Sequence, residues 1–231
     1  MKVFINRQKV NTRARLSNLA SIGGLVLLLA SVVVPLVIPS WSGSAYVLMI
    51  VGMGVAMVGI YFANRWVRKP RPEESLSKAL KSFDDHYHIY HYPHLPCDHV
   101  ILAPTGIVIL EVYNIGGSFS YHQGQWKEAM TVGRALRYIV EERVSNPIPL
   151  MQRMELELNE RLERELDLGL SVPIKSIVVF THPAVELNVK GAPIPVCKID
   201  KLKKQISTKT PKLAPEVYEK LSLFLERMTS N

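Results

Sequence analysis

The chemistry in this sequence starts at Glu111. It interrupts Ile107-Val108-Ile109-Leu110-Glu111-Val112-Tyr113, a run otherwise almost wholly apolar. Such a run reads as a strand covered on both faces. A carboxylate inside it costs several kcal/mol unless it is paired or binds a cation. Asp98 opens the preceding strand, Asp98 to Ala103, and a tight hairpin around Pro104-Thr105-Gly106 joins the two. A short hairpin brings acids from adjacent strands into one site. Two or three convergent carboxylates bind Mg²⁺, which activates water and stabilises a phosphoryl transition state. The spacing is met more simply by a structural acid at an edge or strand end, satisfied by backbone or by an arginine.

Histidines are the second candidates. His86, His88, His91, His94 and His99 crowd together with Cys97 among them. Imidazole and thiolate ligate zinc, but the set lacks a recognised ligand spacing. The simpler reading is a polar, aromatic strand and loop whose histidines face solvent or pair with acids. Alternation puts His86 and His88 on one strand face and His91 on the other. Tyr87, Tyr90 and Tyr92 could stack on single-stranded bases, though strand packing explains them more simply. Lys198, Lys201, Lys203, Lys204 and Lys209 read as a solvated basic face. Cys97 and Cys197 are the only cysteines, and no structural disulfide is expected.

The elements that must position these residues are legible. Glu73 to Phe83 has Leu76, Ala79, Leu80 and Phe83 on one helical face. His86 to Tyr92 alternates as a strand, and Ile107 to Tyr113 follows the hairpin. Shorter strand pieces fall around Phe119 to Tyr121 and Trp126. Leu150, Met154, Leu158, Leu162 and Leu166 recur every fourth residue, which predicts a helix from Pro147 to Asp167 capped by Asn146. Ile174 to Thr181 reads as an apolar strand, Val196 to Ile199 as a short one, and a last helix starts near Pro215. The fold class is α/β, a sheet with helices on both sides.

The run Cys97-Asp98-His99-Val100, Pro104-Thr105-Gly106-Ile107, Glu111-Val112-Tyr113-Asn114, Gly117, Trp126, Asn146-Pro147 and Gln152 resembles the nuclease-related domain family, NERD, over roughly residues 73 to 181. That family is similar to the restriction-endonuclease-like PD-(D/E)xK fold, an αβββαβ core. The resemblance implies a site with Asp98, Glu111, Gln152 and an early helical glutamate, Glu74 or else Glu73. It implies Mg²⁺ as the cofactor, with Asp98 and Glu111 as ligands. Where the family pattern places lysine, this chain has Tyr113. In such nucleases the lysine orients the attacking water and stabilises charge growing on phosphate. A tyrosine, neutral at pH 7, supplies no permanent positive charge. Lys127 is a cation that could substitute from elsewhere.

Ahead of this domain lie two uncharged apolar stretches, residues 16–38 and 45–63. About 20 apolar residues cross the hydrocarbon core as a helix. Pro39-Ser40-Trp41-Ser42-Gly43-Ser44 is a short uncharged link with Trp41 at an interface. Gly52, Ala56, Gly59 and Ala63, with Ala20 and Gly24, favour close packing within the hairpin over a dimer. A cleaved secretory signal is disfavoured, because a second apolar stretch follows at once. The expected organisation is a basic cytoplasmic N-terminus at 1–15, a transmembrane hairpin at 16–66, a linker at 67–72 and a cytoplasmic domain at 73–231. Lys2, Arg7, Lys9, Arg13 and Arg15 precede the first stretch, and Arg65, Arg68, Lys69 and Arg71 follow the second. The link between has no Lys or Arg, so both termini are expected in the cytoplasm. Taking these nine from the 28 basic residues leaves 19 against 20 acidic ones, all from Glu73 onward. The excess charge therefore points to anionic lipid head groups and not to a strongly basic nucleic-acid footprint.

The functional expectation is a membrane-anchored, catalytically impaired nuclease-fold module, a pseudoenzyme with a binding or scaffold role. One alternative is an active Mg²⁺-dependent nuclease acting on DNA or RNA near the membrane through Glu74, Asp98, Glu111 and Gln152. Another is a purely structural membrane-associated interaction protein. The partners considered are the bilayer, nucleic acid and another protein.

Overall fold

A computed structural model describes residues 1–130, 144–166, 172–207 and 211–230. The chain divides into two compact units. Met1–Arg7, Pro72–Met130 and Val144–Asn231 form the first, and residues 8–71 belong to the second.

In the first unit a six-stranded sheet is built from β1 (Lys2–Ile5), β2 (His88–His91), β3 (His99–Ala103), β4 (Gly106–Tyr113), β7 (Ile174–Phe180) and β9 (Val196–Lys198), in that spatial order. β2, β3 and β4 form an antiparallel meander. β1 runs parallel to β2, β7 parallel to β4, and β9 parallel to β7. The helices are α3 (Pro72–Ala79), α4 (Pro147–Leu166), α5 (Leu202–Ile206) and α6 (Pro215–Ser230). All eight residues of β4 are buried, as its apolar run requires. Odd residues Ile107, Ile109 and Tyr113 join Met151, Leu158 and Leu162 of α4 and Leu221, Phe224 and Leu225 of α6. Even residues Val108, Leu110 and Val112 join Leu76 and Leu80 of α3 and Leu202 and Ile206 of α5. The sheet is therefore covered by helices on both faces.

Local chemistry sets the connections. Gly106 opens β4 at φ 142°, where a Cβ would run into the Pro173 carbonyl. Ile107 N–H donates to that same carbonyl at 2.9 Å, which locks the start of β4 to the start of β7. The Asn146 side chain accepts from Ile148 N–H at 3.1 Å and caps α4. A second sheet has the order β6 (Gln125–Glu128), β5 (Gly117–His122), β8 (Val185–Asn188).

The structure departs from the sequence reading at the N-terminus. Residues 2–5 are not a basic tail but an edge strand of the large sheet. Four residues, exposed Lys2 and Val3 followed by half-buried Phe4 and Ile5, show no alternation that could signal a strand, and the pairing is long-range. α3 also ends at Ala79, short of Phe83.

In the second unit, α1 (Arg7–Val37) and α2 (Ser42–Trp66) flank a short 3₁₀ turn, Pro39–Trp41. Pro35 sits within the last turn of α1. Antiparallel packing follows the small residues. A Cβ on Gly24 would strike the Ala56 backbone, and one on Gly59 would strike Ser21. Ser17 Oγ donates to the Gly59 carbonyl at 3.0 Å, and the Arg13 guanidinium lies 5.9 Å from the Trp66 ring centroid. Both helices are long and apolar enough to cross a membrane, and only 11% of each apolar stretch is buried.

Candidate functional site

β3 and β4 form the tight antiparallel hairpin expected around Pro104-Thr105-Gly106. The ladder runs through Val100↔Ile109 and His99↔Leu110. Asp98 precedes the first paired residue of β3, and Glu111 follows Leu110, the partner of His99, on the β4 face that carries Ile109 and Tyr113. Glu111 is 7% exposed and Asp98 half-buried. The Asp98 carbonyl accepts from Tyr92 N–H at 2.6 Å, closing the loop between β2 and β3.

Tyr92 is the residue that sequence reasoning underrated. Its φ is 58°, a left-handed conformation uncommon for a bulky side chain. Its ring is buried, and its hydroxyl donates to Glu73 Oε2 at 2.8 Å. Through its backbone and its hydroxyl, Tyr92 ties Asp98 to α3. Of the two early glutamates, Glu73 is the one built into the domain, at 2% exposure, while Glu74 is half-buried. The two are adjacent in the first turn of one helix, so periodicity alone could not separate them. Gln152 lies in the second turn of α4 and is exposed, with Met151 entering the core beside it.

Tyr113 is core. It is 5% exposed, and its ring centroid lies 5.5 Å from that of Phe180. Phe180 packs on Phe119 at 4.9 Å, and Trp126 stacks on Phe119 at 5.9 Å and on Phe180 at 6.5 Å. Lys127 does not enter this stack. It follows Trp126 on β6, so alternation sends it to the opposite face, where it is exposed. A further carboxylate does face the sheet: Glu155 of α4 accepts from Ser176 Oγ at 2.7 Å, and Ser176 pairs with Ile109.

The histidines differ from the solvent-facing expectation. His88, His91 and His99 are buried, because both faces of β2 and β3 are covered. His91 Nδ1 lies 3.0 Å from His99 Nδ1, and its Nε2 lies 3.1 Å from Ser77 Oγ on α3. Burial, assisted by His99, holds His91 well below the usual imidazole range. On the other face His88 Nδ1 lies 3.2 Å from both Tyr90 Oη and Ser222 Oγ, and Ser222 donates to Glu226 at 3.1 Å. Burial, then the charge of Lys2, lowers His88 as well. These are fastenings of α3 and α6 to the sheet. Only His86 and His94 are exposed among the five.

Among the described residues no three His, Cys, Asp or Glu side chains come together as a group that could hold a metal ion. Glu73 is engaged by the Tyr92 hydroxyl.

The six-stranded sheet, covered by helices on both faces, defines a mixed α/β domain. Residues 71–181 match the nuclease-related domain family, NERD, and the chain carries that domain. It matches no curated protein and no solved structure.

Proposed function

We propose that this chain is a membrane-anchored nuclease-related module with a restriction-endonuclease-like αβββαβ core, whose catalysis is impaired and which acts by binding. The observation that carries this reading is Tyr113. A buried tyrosine in an aromatic stack stands on the strand face of Glu111, where the family resemblance calls for lysine. It gives no positive charge to a phosphoryl transition state.

Membrane anchoring rests on the hairpin. Its outward faces expose Leu19, Val32, Leu36, Val47 and Ile50, an apolar surface too continuous for water. Lys and Arg at its two ends and none in its turn favour a cytoplasmic domain beside anionic lipid. A near-neutral domain is a poor platform for sequence-independent nucleic-acid binding, so a protein partner is favoured over DNA or RNA. The second reading, a Mg²⁺-dependent nuclease, has one observation in its favour: a carboxylate, Glu111, buried on a central strand.

The test is cleavage of single- and double-stranded DNA and RNA by the full chain in lipid nanodiscs with Mg²⁺ or Mn²⁺, beside Asp98→Ala. The proposal expects no cleavage above that of the variant. Cleavage abolished by Asp98→Ala would establish the nuclease reading instead.

A further inference from the structure

The large sheet is completed by a strand from the far side of the hairpin. Every other described strand of it follows residue 87, whereas β1 lies at residues 2–5. β1 pairs with β2 in parallel from Lys2↔His88 to Ile5↔His91. Lys2 N–H donates to the Tyr87 carbonyl at 3.0 Å, and Asn6 N–H to the His91 carbonyl at 3.1 Å. The Phe4 ring stacks on Tyr90 with centroids 4.8 Å apart and planes 10° from parallel. Asn6 is 3% exposed, and its Nδ2 lies 3.2 Å from His94 Nε2. At the next residue, Arg7, α1 begins.

Parallel strands cannot be joined by a tight turn; they need a long crossover. Between β1 and β2 that crossover contains the whole apolar hairpin, followed by α3. We propose that the hairpin is an insertion within the nuclease-related domain and not a leader in front of it. Residues 1–6 are then a permanent strand of the domain, and both ends of the hairpin stay on one side of the membrane. Removing the first span would strip β1, uncover the backbone edge of β2 and leave Tyr90 and His91 without Phe4 and Asn6. The word "side" rests on the membrane reading above; the strand's place in the sheet does not.

Two measurements on the full chain in lipid vesicles test this. The first is amide exchange. Asn6 N–H should exchange about a hundredfold more slowly than in a free chain, and Phe4→Asp should remove most of that protection and speed proteolysis of the β2–β3 segment about tenfold. The second needs no destabilised variant. Val3→Cys and Leu223→Cys, both at exposed positions, should react with a membrane-impermeant maleimide from the same side, and Ser42→Cys in the turn from the other. The native Cys97 and Cys197 are buried, which keeps the background low. Free-chain exchange at residues 2–6, labelling of Val3→Cys from the side of Ser42→Cys, or an intact mass lacking the first span would overturn the proposal. Protein that alkaline carbonate releases from the vesicles, yet with Asn6 still protected, would overturn the membrane reading and leave the strand assignment supported.

Discussion

Removing one oxygen atom tests the joint between α3 and the candidate site. Tyr92→Phe keeps the ring and the left-handed backbone but takes away the hydroxyl that donates to Glu73 Oε2 at 2.8 Å. Both side chains are almost fully buried, at 1% and 2% exposure, so water cannot replace the lost donor. A hydrogen bond to a carboxylate in such surroundings contributes roughly 1.5–3 kcal/mol. For a domain of this size that corresponds to a fall in Tm of about 3–12 °C. The single variant mixes this loss with the cost of an under-solvated carboxylate, so the informative experiment is the cycle of Tyr92→Phe, Glu73→Ala and the double variant. Thermal unfolding of the full chain in detergent should give a coupling above about 1 kcal/mol. Additivity within about 0.3 kcal/mol would refute the link and with it the assignment of Glu73, over Glu74, as the acid built into the domain.

Three further outcomes are expected. Gly24→Leu and Gly59→Leu should force the two helices of the hairpin apart, at a cost of at least about 1–3 kcal/mol, read as a lowered aggregation temperature in detergent. Gly23→Leu, whose Cβ meets nothing, should be silent in the same assay. Domain stability should fall as pH drops below about 6.5. There the unfolded chain takes up a proton at residue 91, while native His91, with its depressed affinity, does not. The contribution approaches about 1.4 kcal/mol per pH unit, and His91→Gln should flatten the slope of denaturant-midpoint stability against pH. Gly106→Ala should lower the unfolding free energy, read from denaturant titration, by about 1–3 kcal/mol, because its φ of 142° and the Pro173 carbonyl both exclude a side chain.

What could be read from the sequence was what repeats or alternates locally. The four-residue spacing of leucines gave α4, the buried apolar run gave β4, and the Pro-Thr-Gly turn fixed the hairpin between β3 and β4. The two apolar stretches and their flanking charges gave the hairpin unit, and Gly24, Ala56 and Gly59 gave its packing face. What escaped was long-range or conformational. β1 is four residues long and pairs across more than eighty residues, so no local pattern marks it. Tyr92 looks like any strand aromatic until its positive φ is seen. The histidines looked polar and exposed because no sequence pattern reveals that His91 and His99 bond to each other between two covered faces. The sequence marks Tyr113 as an aromatic in an apolar run, but only packing shows that Phe180, Phe119 and Trp126 turn its surroundings into core.

The most direct test of an impaired site is calorimetric titration of Mg²⁺ and Mn²⁺ into the full chain in nanodiscs, beside the Asp98→Ala/Glu111→Ala variant. With an aromatic core around Tyr113 in place of the lysine, the two proteins should give the same heats up to millimolar metal. Stoichiometric binding present in the native chain and absent from the variant would contradict the account, and the domain would have to be treated as a competent metallonuclease.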